Sequence, residues 1–157
     1  MNISQNIKMV ISDFDGIFTD NTVIVNEDKS ISRRVSFKDL MGVSILVKNG
    51  YKVGFISGEK NPVIEMIAEK FKLTEIFMGI RVKIDVLKAI LERNNLTPDE
   101  VIYIGDDIND IACLEYVNTK ITVPNANKKI KKIKNIQITK ANGGDGAFRE
   151  IVDEIVL

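Results

Sequence analysis

Residues 8–20 read Lys8-Met9-Val10-Ile11-Ser12-Asp13-Phe14-Asp15-Gly16-Ile17-Phe18-Thr19-Asp20. A short apolar run ends in two carboxylates that stand one residue apart. An apolar run of this length, bounded by a turn signal, predicts a buried strand. Alternate residues of a strand point to the same face, so Asp13 and Asp15 share a face if the extended backbone continues through Asp15.

This pair of carboxylates indicates a cation site. Two carboxylates this close repel each other, and one takes up a proton unless a cation lies between them. Hard divalent cations prefer such oxygen ligands, and Gly16 permits a sharp backbone turn. A lone Asp-x-Asp is usually an acidic surface turn, whereas Asp-x-Asp-Gly-x-x-Thr directly after a buried strand is far more specific.

The run from Asp13 to Asp20 resembles the first motif of the haloacid dehalogenase-like (HAD) phosphohydrolases. Within them it resembles the small branch without a cap domain. That branch includes 3-deoxy-D-manno-octulosonate 8-phosphate (KDO 8-phosphate) phosphatases and sialic-acid-type (nonulosonate) 9-phosphate phosphatases. The resemblance implies that Asp13 is the nucleophile and Asp15 the general acid/base. It also implies Mg²⁺ held by Asp13, Asp106 and the backbone carbonyl of Asp15.

Composition narrows the classes of function. The chain has 157 residues, enough for one domain with a core, and 22 basic against 22 acidic side chains. This balance gives no argument for nucleic acid or an anionic membrane as a partner. The absence of histidine excludes His-based triads and His-ligated zinc. One cysteine, no secretory pattern and no apolar run of transmembrane length together favour a cytoplasmic protein.

Strands and helices alternate along the chain. Strands are predicted at Ile7–Ser12, Lys52–Ser57, Ile76–Met78, Val101–Ile104, Ile121–Val123 and Ile136–Ile138, and helices at Lys38–Lys48, after Asn61, from Lys83, at Ile111–Leu114, with helical spacing in Asn127–Lys134, and at Ala147–Val156.

This alternation predicts a three-layer α/β/α fold with a parallel central sheet. The resemblance implies that this fold is of the HAD-like (Rossmannoid) type. We expect residues 1–157 to form a single domain. Residues from Thr22 to Phe37 read as a protruding β-hairpin. The segment between the first two sheet strands is too short for a mobile cap domain.

Four fragments fall at the ends of predicted strands or the start of a helix, where open α/β sheets place their sites. Their order and types resemble the four HAD motifs, which implies that Ser57, Gly58 and Lys83 bind phosphate. Asp107 and Asp110, beside Asp106, are expected to support the metal shell. Each fragment alone has an ordinary structural explanation; together and in order they favour a phosphohydrolase.

Substrate binding is predicted for Glu59, Lys60, Lys70 and Arg149. Typical KDO 8-phosphate phosphatases resemble Thr-Gly-Arg-Lys where this chain has Ser-Gly-Glu-Lys, and Glu59 instead resembles relatives acting on nine-carbon acids. Their tail reads Gly-Gly-Arg-Gly, whereas Asp145 stands at the third position here. The sugar-acid phosphate class is therefore expected with its member left open. Arg33 and Arg81 are expected to be ordinary surface charge.

We also expect a homo-oligomer, specifically a tetramer. A lone two-stranded ribbon is marginally stable, so the hairpin is expected to pack on a partner chain. In the family that the sequence resembles, such hairpins form a central barrel, and the segment carrying Arg149 covers a neighbour's pocket. A hairpin folded back on its own domain is the alternative.

Two other functions fit parts of the pattern. One is a phospho-receiver domain, which also has an acidic pocket and a lysine; there, however, the phosphorylated Asp ends the third strand. The other is a catalytically silent tetrameric HAD scaffold associated with a sugar-nucleotide synthetase. The intact set of Asp13, Asp15, Lys83 and Asp106 argues against it.

Overall fold

A parallel six-stranded sheet runs through the middle of the fold. The computed structural model describes residues 1–157. The strands of this sheet are β1 (Met9–Ser12), β4 (Lys52–Ile56), β5 (Glu75–Phe77), β6 (Val101–Ile104), β7 (Thr119–Thr122) and β8 (Gln137–Ile138). Their order across the sheet is β5-β4-β1-β6-β7-β8. β1 lies between β4 and β6, with Ser12 opposite Phe55 on one side and Ile104 on the other.

Helices cover both faces of the sheet and complete the predicted α/β/α layers. They are α1 (Phe37–Lys48), α2 (Pro62–Phe71), α3 (Lys83–Arg93), α4 (Ile111–Tyr116) and α5 (Ala147–Val156). α1 packs against α2 and α5, whereas α3 packs against α4. Strand order runs outward from β1 to β5 and then returns across the sheet to β6, so right-handed crossovers put α3 and α4 on the opposite face. No helix combines the length and apolar character needed to span a membrane.

The predicted hairpin is present between β1 and α1. Its strands are β2 (Ile24–Val25) and β3 (Ile31–Ser32), which pair antiparallel and form a separate two-stranded sheet. Ile24, Val25 and Ile31 remain 64%, 68% and 53% exposed. The ribbon therefore carries an uncovered apolar surface.

An aromatic cluster supports the chain where it leaves β1. Phe14 and Phe18 stack with ring centroids 5.2 Å apart, and both meet Phe55 edge-on. Phe148 of α5 lies 4.6 Å from Phe18. All four rings are fully buried. Phe14 thus anchors the turn from inside the core, while its neighbours Asp13 and Asp15 face the cleft.

Two local predictions differ from the structure. β1 ends at Ser12 and the chain turns from Phe14 onward, so the extended backbone does not reach Asp15. The segment Asn127–Lys134 contains only a 3-10 turn at Ile130–Lys132 instead of a longer helix. Ile130 is its one fully buried side chain, and a short segment with so little apolar contact does not stabilise several helical turns.

Candidate active site

A polar cleft of about 360 Å³ opens at the carboxyl ends of β1, β4 and β6. Parallel strands bring the residues that follow them to one edge of the sheet, which explains why distant fragments meet here. The cleft is lined by Asp13, Asp15, Asn21, Ser57, Gly58, Glu59, Asp106, Asp107, Ile108 and Asn109. Most residues predicted for the site are in this set.

The backbone turn after β1 fixes the position of Asp13. Its N–H donates to the carbonyl of Ile104 at 2.8 Å, which extends the β1–β6 pairing by one residue. Its Oδ1 accepts from the N–H of Phe14 at 2.7 Å. Gly16 has a positive φ of 89°, and a Cβ there would collide with the Asp106 carboxylate. Glycine at this position therefore lets Asp106 lie directly against the turn.

Lys83 lies buried beneath Asp13, at the first residue of α3. Its Nζ is 2.9 Å from Asp13 Oδ2 and 2.8 Å from Asp110 Oδ1. The lysine side chain has no exposed surface. It neither points into solvent nor lines the cleft, so its contact with the cleft passes through Asp13.

Asp110 is held from all sides. Besides Lys83, its Oδ1 accepts from the Tyr103 hydroxyl at 2.8 Å. Its Oδ2 accepts from the N–H groups of Asp106 and Asp107, at 3.1 and 3.2 Å. Both oxygens are thus engaged, and Asp110 ties the loop after β6 to the lysine.

Negative charge exceeds positive charge in this buried cluster, and the pKa values reflect it. Burial, followed by the charge of Asp110, raises the pKa of Asp13 to about 7, although Lys83 opposes both. Burial and repulsion from Asp13 raise the pKa of Asp106 to about 8. Each carboxylate would be stabilised by an additional cation.

Asp13 and Asp106 fit a divalent metal. Carboxylate oxygens of Asp13, Asp106 and Asp110 lie within 4.8 Å of one another. Asp110 belongs to this group by distance, but its oxygens already accept four hydrogen bonds. Asp106 accepts only a long bond from Asn21 Nδ2, at 3.4 Å. Free oxygen ligands and uncompensated charge suit Mg²⁺.

Asp15 lies across the cleft and contacts the base of the hairpin. Its Oδ1 accepts from the Thr19 hydroxyl at 3.1 Å and from Arg33 Nε at 3.0 Å. The Arg33 side chain is only 9% exposed. The expectation of ordinary surface charge at Arg33 is therefore wrong. The pattern of the hairpin alone could not reveal that the residue after its second strand turns back over the turn that follows β1.

The predicted phosphate- and substrate-binding residues fall in different places. Ser57, Gly58 and Glu59 line the cleft, whereas Lys60 is exposed beside Gly79. Lys60 does not line the cleft of its own chain, and the two remaining predicted substrate-binding residues do not line it either. Lys70 borders a small depression between α1 and α2, and Arg149 pairs with Asp153 at 2.7 Å along α5. A role for either would have to involve another chain or a movement.

Three lining residues were not anticipated. Asn21 reaches the cleft because the turn after β1 continues into a residue with a positive φ of 69°. Ile108 and Asn109 belong to the 3-10 turn that follows Asp107. The run Gly-Asp-Asp-Ile-Asn-Asp contains the signal for Asn109, since a turn after a strand end exposes its polar residues.

The glycine-rich loop before α5 packs on the turn that follows β1 in its own chain. Gly144 N–H donates to the carbonyl of Ile17 at 2.9 Å, and Gly143 N–H donates to Asn125 Oδ1 at 3.0 Å. A Cβ on Gly143 would collide with the carbonyl of Gly16. The two glycines therefore serve close packing behind the site.

Comparison with known proteins agrees with this arrangement. A profile described as haloacid dehalogenase-like hydrolase matches residues 56–151. The 3-deoxy-D-manno-octulosonate 8-phosphate phosphatase KdsC of Escherichia coli K12 is 25% identical over 154 residues, which cover 98% of this chain and 81% of that protein.

Solved structures give the same relationship. The 3-deoxy-D-manno-octulosonate 8-phosphate phosphatase of Moraxella catarrhalis, solved with magnesium, phosphate and KDO, superposes with a TM-score of 0.91 at 26% identity, covering 97% of this chain and 87% of that one. A HAD family hydrolase from Streptomyces avermitilis MA-4680 reaches a TM-score of 0.92 at 33% identity, with 99% and 88% covered.

These matches decide between the folds considered from the sequence. A phospho-receiver domain is not supported, because β5 ends at Phe77 and no Asp follows it. The family profile covers more than half of the chain, and the sheet order and the full-length similarities agree with it. The predicted hydrolase class is thereby confirmed, and the chain belongs to the haloacid dehalogenase-like hydrolases.

Proposed function

We propose that this protein is a Mg²⁺-dependent phosphomonoesterase that hydrolyses a phosphorylated 3-deoxy-2-ulosonic sugar acid. The observation that carries the proposal is the cleft in which Asp13, Asp15 and Asp106 converge above a buried lysine. The similarity to KDO 8-phosphate phosphatases over nearly the whole chain supports this substrate class.

Asp13 is the nucleophile in this scheme. Its carboxylate oxygen attacks phosphorus while the bond from phosphorus to the sugar oxygen breaks, giving an aspartyl phosphate. Asp15 gives its proton to the departing sugar oxygen. It then takes a proton from the water that attacks the aspartyl phosphate, which releases inorganic phosphate and restores Asp13.

The remaining residues bind and orient. Ser57 and the backbone at Gly58 border the cleft where they can donate to phosphate oxygens, and Lys83 holds the Asp13 carboxylate from below. Asp13, Asp106 and the carbonyl of Asp15 would hold Mg²⁺, with Asp107 and Asp110 supporting them. When bound, the ion neutralises the repulsion between the anionic nucleophile and the phosphate dianion.

The individual sugar acid is set by the rim of the cleft. Glu59 lines it directly after the phosphate-binding Ser57 and Gly58. Typical KDO 8-phosphate phosphatases have an arginine at this position, whereas Glu59 resembles relatives that act on nine-carbon acids. We infer that Glu59 favours a nonulosonate 9-phosphate over KDO 8-phosphate.

The proposal includes a homotetramer in the cytoplasm. The exposed apolar ribbon of β2 and β3 supports assembly through the hairpin. Lys60, Lys70 and Arg149, which do not line their own cleft, would then be candidates to complete the cleft of a neighbour.

A phosphatase screen tests the reaction and the substrate class together. Purified protein with Mg²⁺ is incubated with KDO 8-phosphate, nonulosonate 9-phosphates, hexose phosphates and p-nitrophenyl phosphate, and released phosphate is measured. We expect turnover of the sugar-acid phosphates that EDTA abolishes. Asp13→Asn is expected to remove activity while keeping the folded circular dichroism spectrum. A folded wild type that is inactive on every substrate would instead favour the silent scaffold.

Substrate choice is tested with Glu59→Arg. We expect the ratio of kcat/KM for KDO 8-phosphate to that for the nine-carbon 9-phosphate to increase at least ~10-fold, because the substitution installs the arginine that is typical of KDO 8-phosphate phosphatases at this position. Glu115→Arg, at an exposed position of α4 outside the cleft, serves as a control for the same change of charge. An unchanged ratio in Glu59→Arg would rule out the assignment.

A further inference from the structure

The buried ion pair between Arg33 and Asp15 joins the hairpin to the catalytic turn. The two atoms are 3.0 Å apart, and the side chains are 9% and 22% exposed. Arg34, the next residue, is 67% exposed and contacts Asp20 and Asp145 only at 3.6 and 3.9 Å. The chain thus buries the Arg33 side chain against Asp15 and leaves the Arg34 side chain on the surface.

This contact distinguishes the two oxygens of Asp15. Oδ1 accepts both the Arg33 Nε–H and the Thr19 hydroxyl. Oδ2 accepts no hydrogen bond from the chain, although Asp15 lines the cleft. Two donors on one oxygen fix the rotation of the carboxyl group and leave the other oxygen to substrate.

We propose that Arg33 is a positioning residue that holds Asp15 so that Oδ2 transfers the proton to the leaving group. This inference rests on the proposed phosphatase function. In the step concerned, the bond from phosphorus to the sugar oxygen breaks, Asp13 forms the new bond to phosphorus, and the proton on Oδ2 passes to the departing oxygen. Arg33 takes no part in the bond changes and acts through Asp15.

The leaving group provides a readout that a merely structural role would not move. A sugar alkoxide is a poor leaving group and needs the proton, whereas p-nitrophenolate leaves readily without it. Misplacing Oδ2 should therefore slow the first step with a sugar phosphate much more than with p-nitrophenyl phosphate. Single-turnover release of the leaving group isolates this step from the later hydrolysis of the aspartyl phosphate.

The experiment compares Arg33→Met, Arg33→Lys and the neighbouring control Arg34→Met. For Arg33→Met we expect the single-turnover rate to fall at least ~10-fold with the best sugar-acid phosphate and less than ~3-fold with p-nitrophenyl phosphate, a fraction of the ~10²-fold or more that a positioned acid contributes. Arg33→Lys should recover part of the loss. Arg34→Met should behave as wild type with both substrates.

A double variant keeps the test decisive. In an Asp15→Asn background, Arg33→Met should cause no further loss, because the group that it positions can no longer donate the proton. Equal losses with both leaving groups, or an additional loss in the double variant, would overturn the inference. An inactive wild type would overturn the phosphatase proposal as well, whereas an active wild type with an unaffected Arg33→Met would overturn this inference alone.

Discussion

Individual residues of the site are held in a charge arrangement that is unfavourable in the protein alone. Asp13, Asp106 and Asp110 lie together with Lys83 as the one buried cation among them. A buried charge without a partner of opposite sign is costly. The three carboxylates of this cluster share one lysine, so their negative charge is not fully compensated. The arrangement becomes favourable when a divalent cation binds, so binding and stability are linked.

This linkage predicts how stability without metal depends on pH. Asp13 and Asp106 have pKa values of about 7 and about 8 in the folded chain, raised from the ordinary 3.8. Between the ordinary pKa of 3.8 and these raised values, the folded state binds more protons than the unfolded state. The free energy of unfolding therefore decreases as the pH rises, until both carboxyl groups have lost their protons above about pH 8. Urea unfolding in EDTA should show lower stability at pH 8 than at pH 6.

Two comparisons check the origin of this effect. Saturating Mg²⁺ should raise the unfolding midpoint more at pH 8 than at pH 6, because the ion replaces the missing protons. Asp106→Asn should make the EDTA profile flatter. A profile in EDTA that is level or rises from pH 6 to pH 8 would show that the buried carboxylates do not control stability as described.

A site residue could be foreseen where the regular topology of the sheet, and not the path of a loop, brings it to its partners. Asp13, Ser57 and Asp106 stand at strand ends, and the topology of a parallel sheet brings such positions together. Arg33 could not be foreseen in this way, because its contact with Asp15 depends on the path of the hairpin. Asn21 likewise enters the cleft through a local backbone conformation that the sequence does not specify.

At the scale of elements, α1 and α5 hold the back of the site together. Gly42 of α1 faces Phe148 and Val152, and a Cβ there would lie 3.1 and 3.3 Å from them. Asp39, fully buried in the first turn of α1, accepts from the N–H groups of Gly146 and Arg149, at 3.2 and 3.0 Å. A side chain of one helix thus caps the N-terminus of another.

This cap predicts a stability effect for Asp39→Asn. The amide offers one acceptor oxygen and places a donor against the other N–H, so we expect a loss of about 1–3 kcal/mol in the free energy of unfolding. The control is Asp153→Asn on the capped helix α5, where the partly exposed pair with Arg149 should contribute less than about 1 kcal/mol. Equal effects of the two substitutions in urea unfolding would contradict the capping role.

The elements themselves were largely predictable because the central strands are short, mainly apolar runs bounded by turn residues. β1, β4 and β6 follow that pattern, and their buried residues form continuous runs. The exception was Asn127–Lys134, where apolar residues at helical spacing gave only a 3-10 turn. Spacing reports which residues could share a face, whereas the length of a helix depends on the surface available to cover that face.

At the scale of the whole molecule, the hairpin is the part that the chain alone leaves uncovered. Ile24 and Val25 are more than half exposed, and β2 has no neighbour other than β3. The segment from residue 142 to the end does not allow a simple deletion test of a shared site, because Phe148, Ile151 and Val152 are fully buried in the core. Point substitutions are therefore the appropriate probes.

We predict that Ile24→Lys dissociates the oligomer, since a charge on the apolar ribbon opposes burial against another chain. Multi-angle light scattering should give a tetramer for the wild type and a smaller species for the variant. Met66→Lys on α2, at a position 50% exposed, is the matched control and should leave the mass unchanged. A monomeric wild type with full activity would refute assembly through the hairpin.

Arg149→Ala with unchanged KM would refute the participation of Arg149 in a shared site.

Asp13 is expected to carry the phosphoryl group during turnover, and a burst experiment detects this phosphoenzyme. Asp15→Asn lacks the base that activates water, but p-nitrophenolate departs without an acid, so the intermediate should accumulate. Rapid mixing of this variant with p-nitrophenyl phosphate and Mg²⁺ should release one p-nitrophenolate per chain, followed by slow turnover. Mass spectrometry of the quenched protein should find the phosphate on the peptide containing Asp13. Release of p-nitrophenolate that is linear from the start, or phosphate on another residue, would contradict the assignment of Asp13 as the nucleophile.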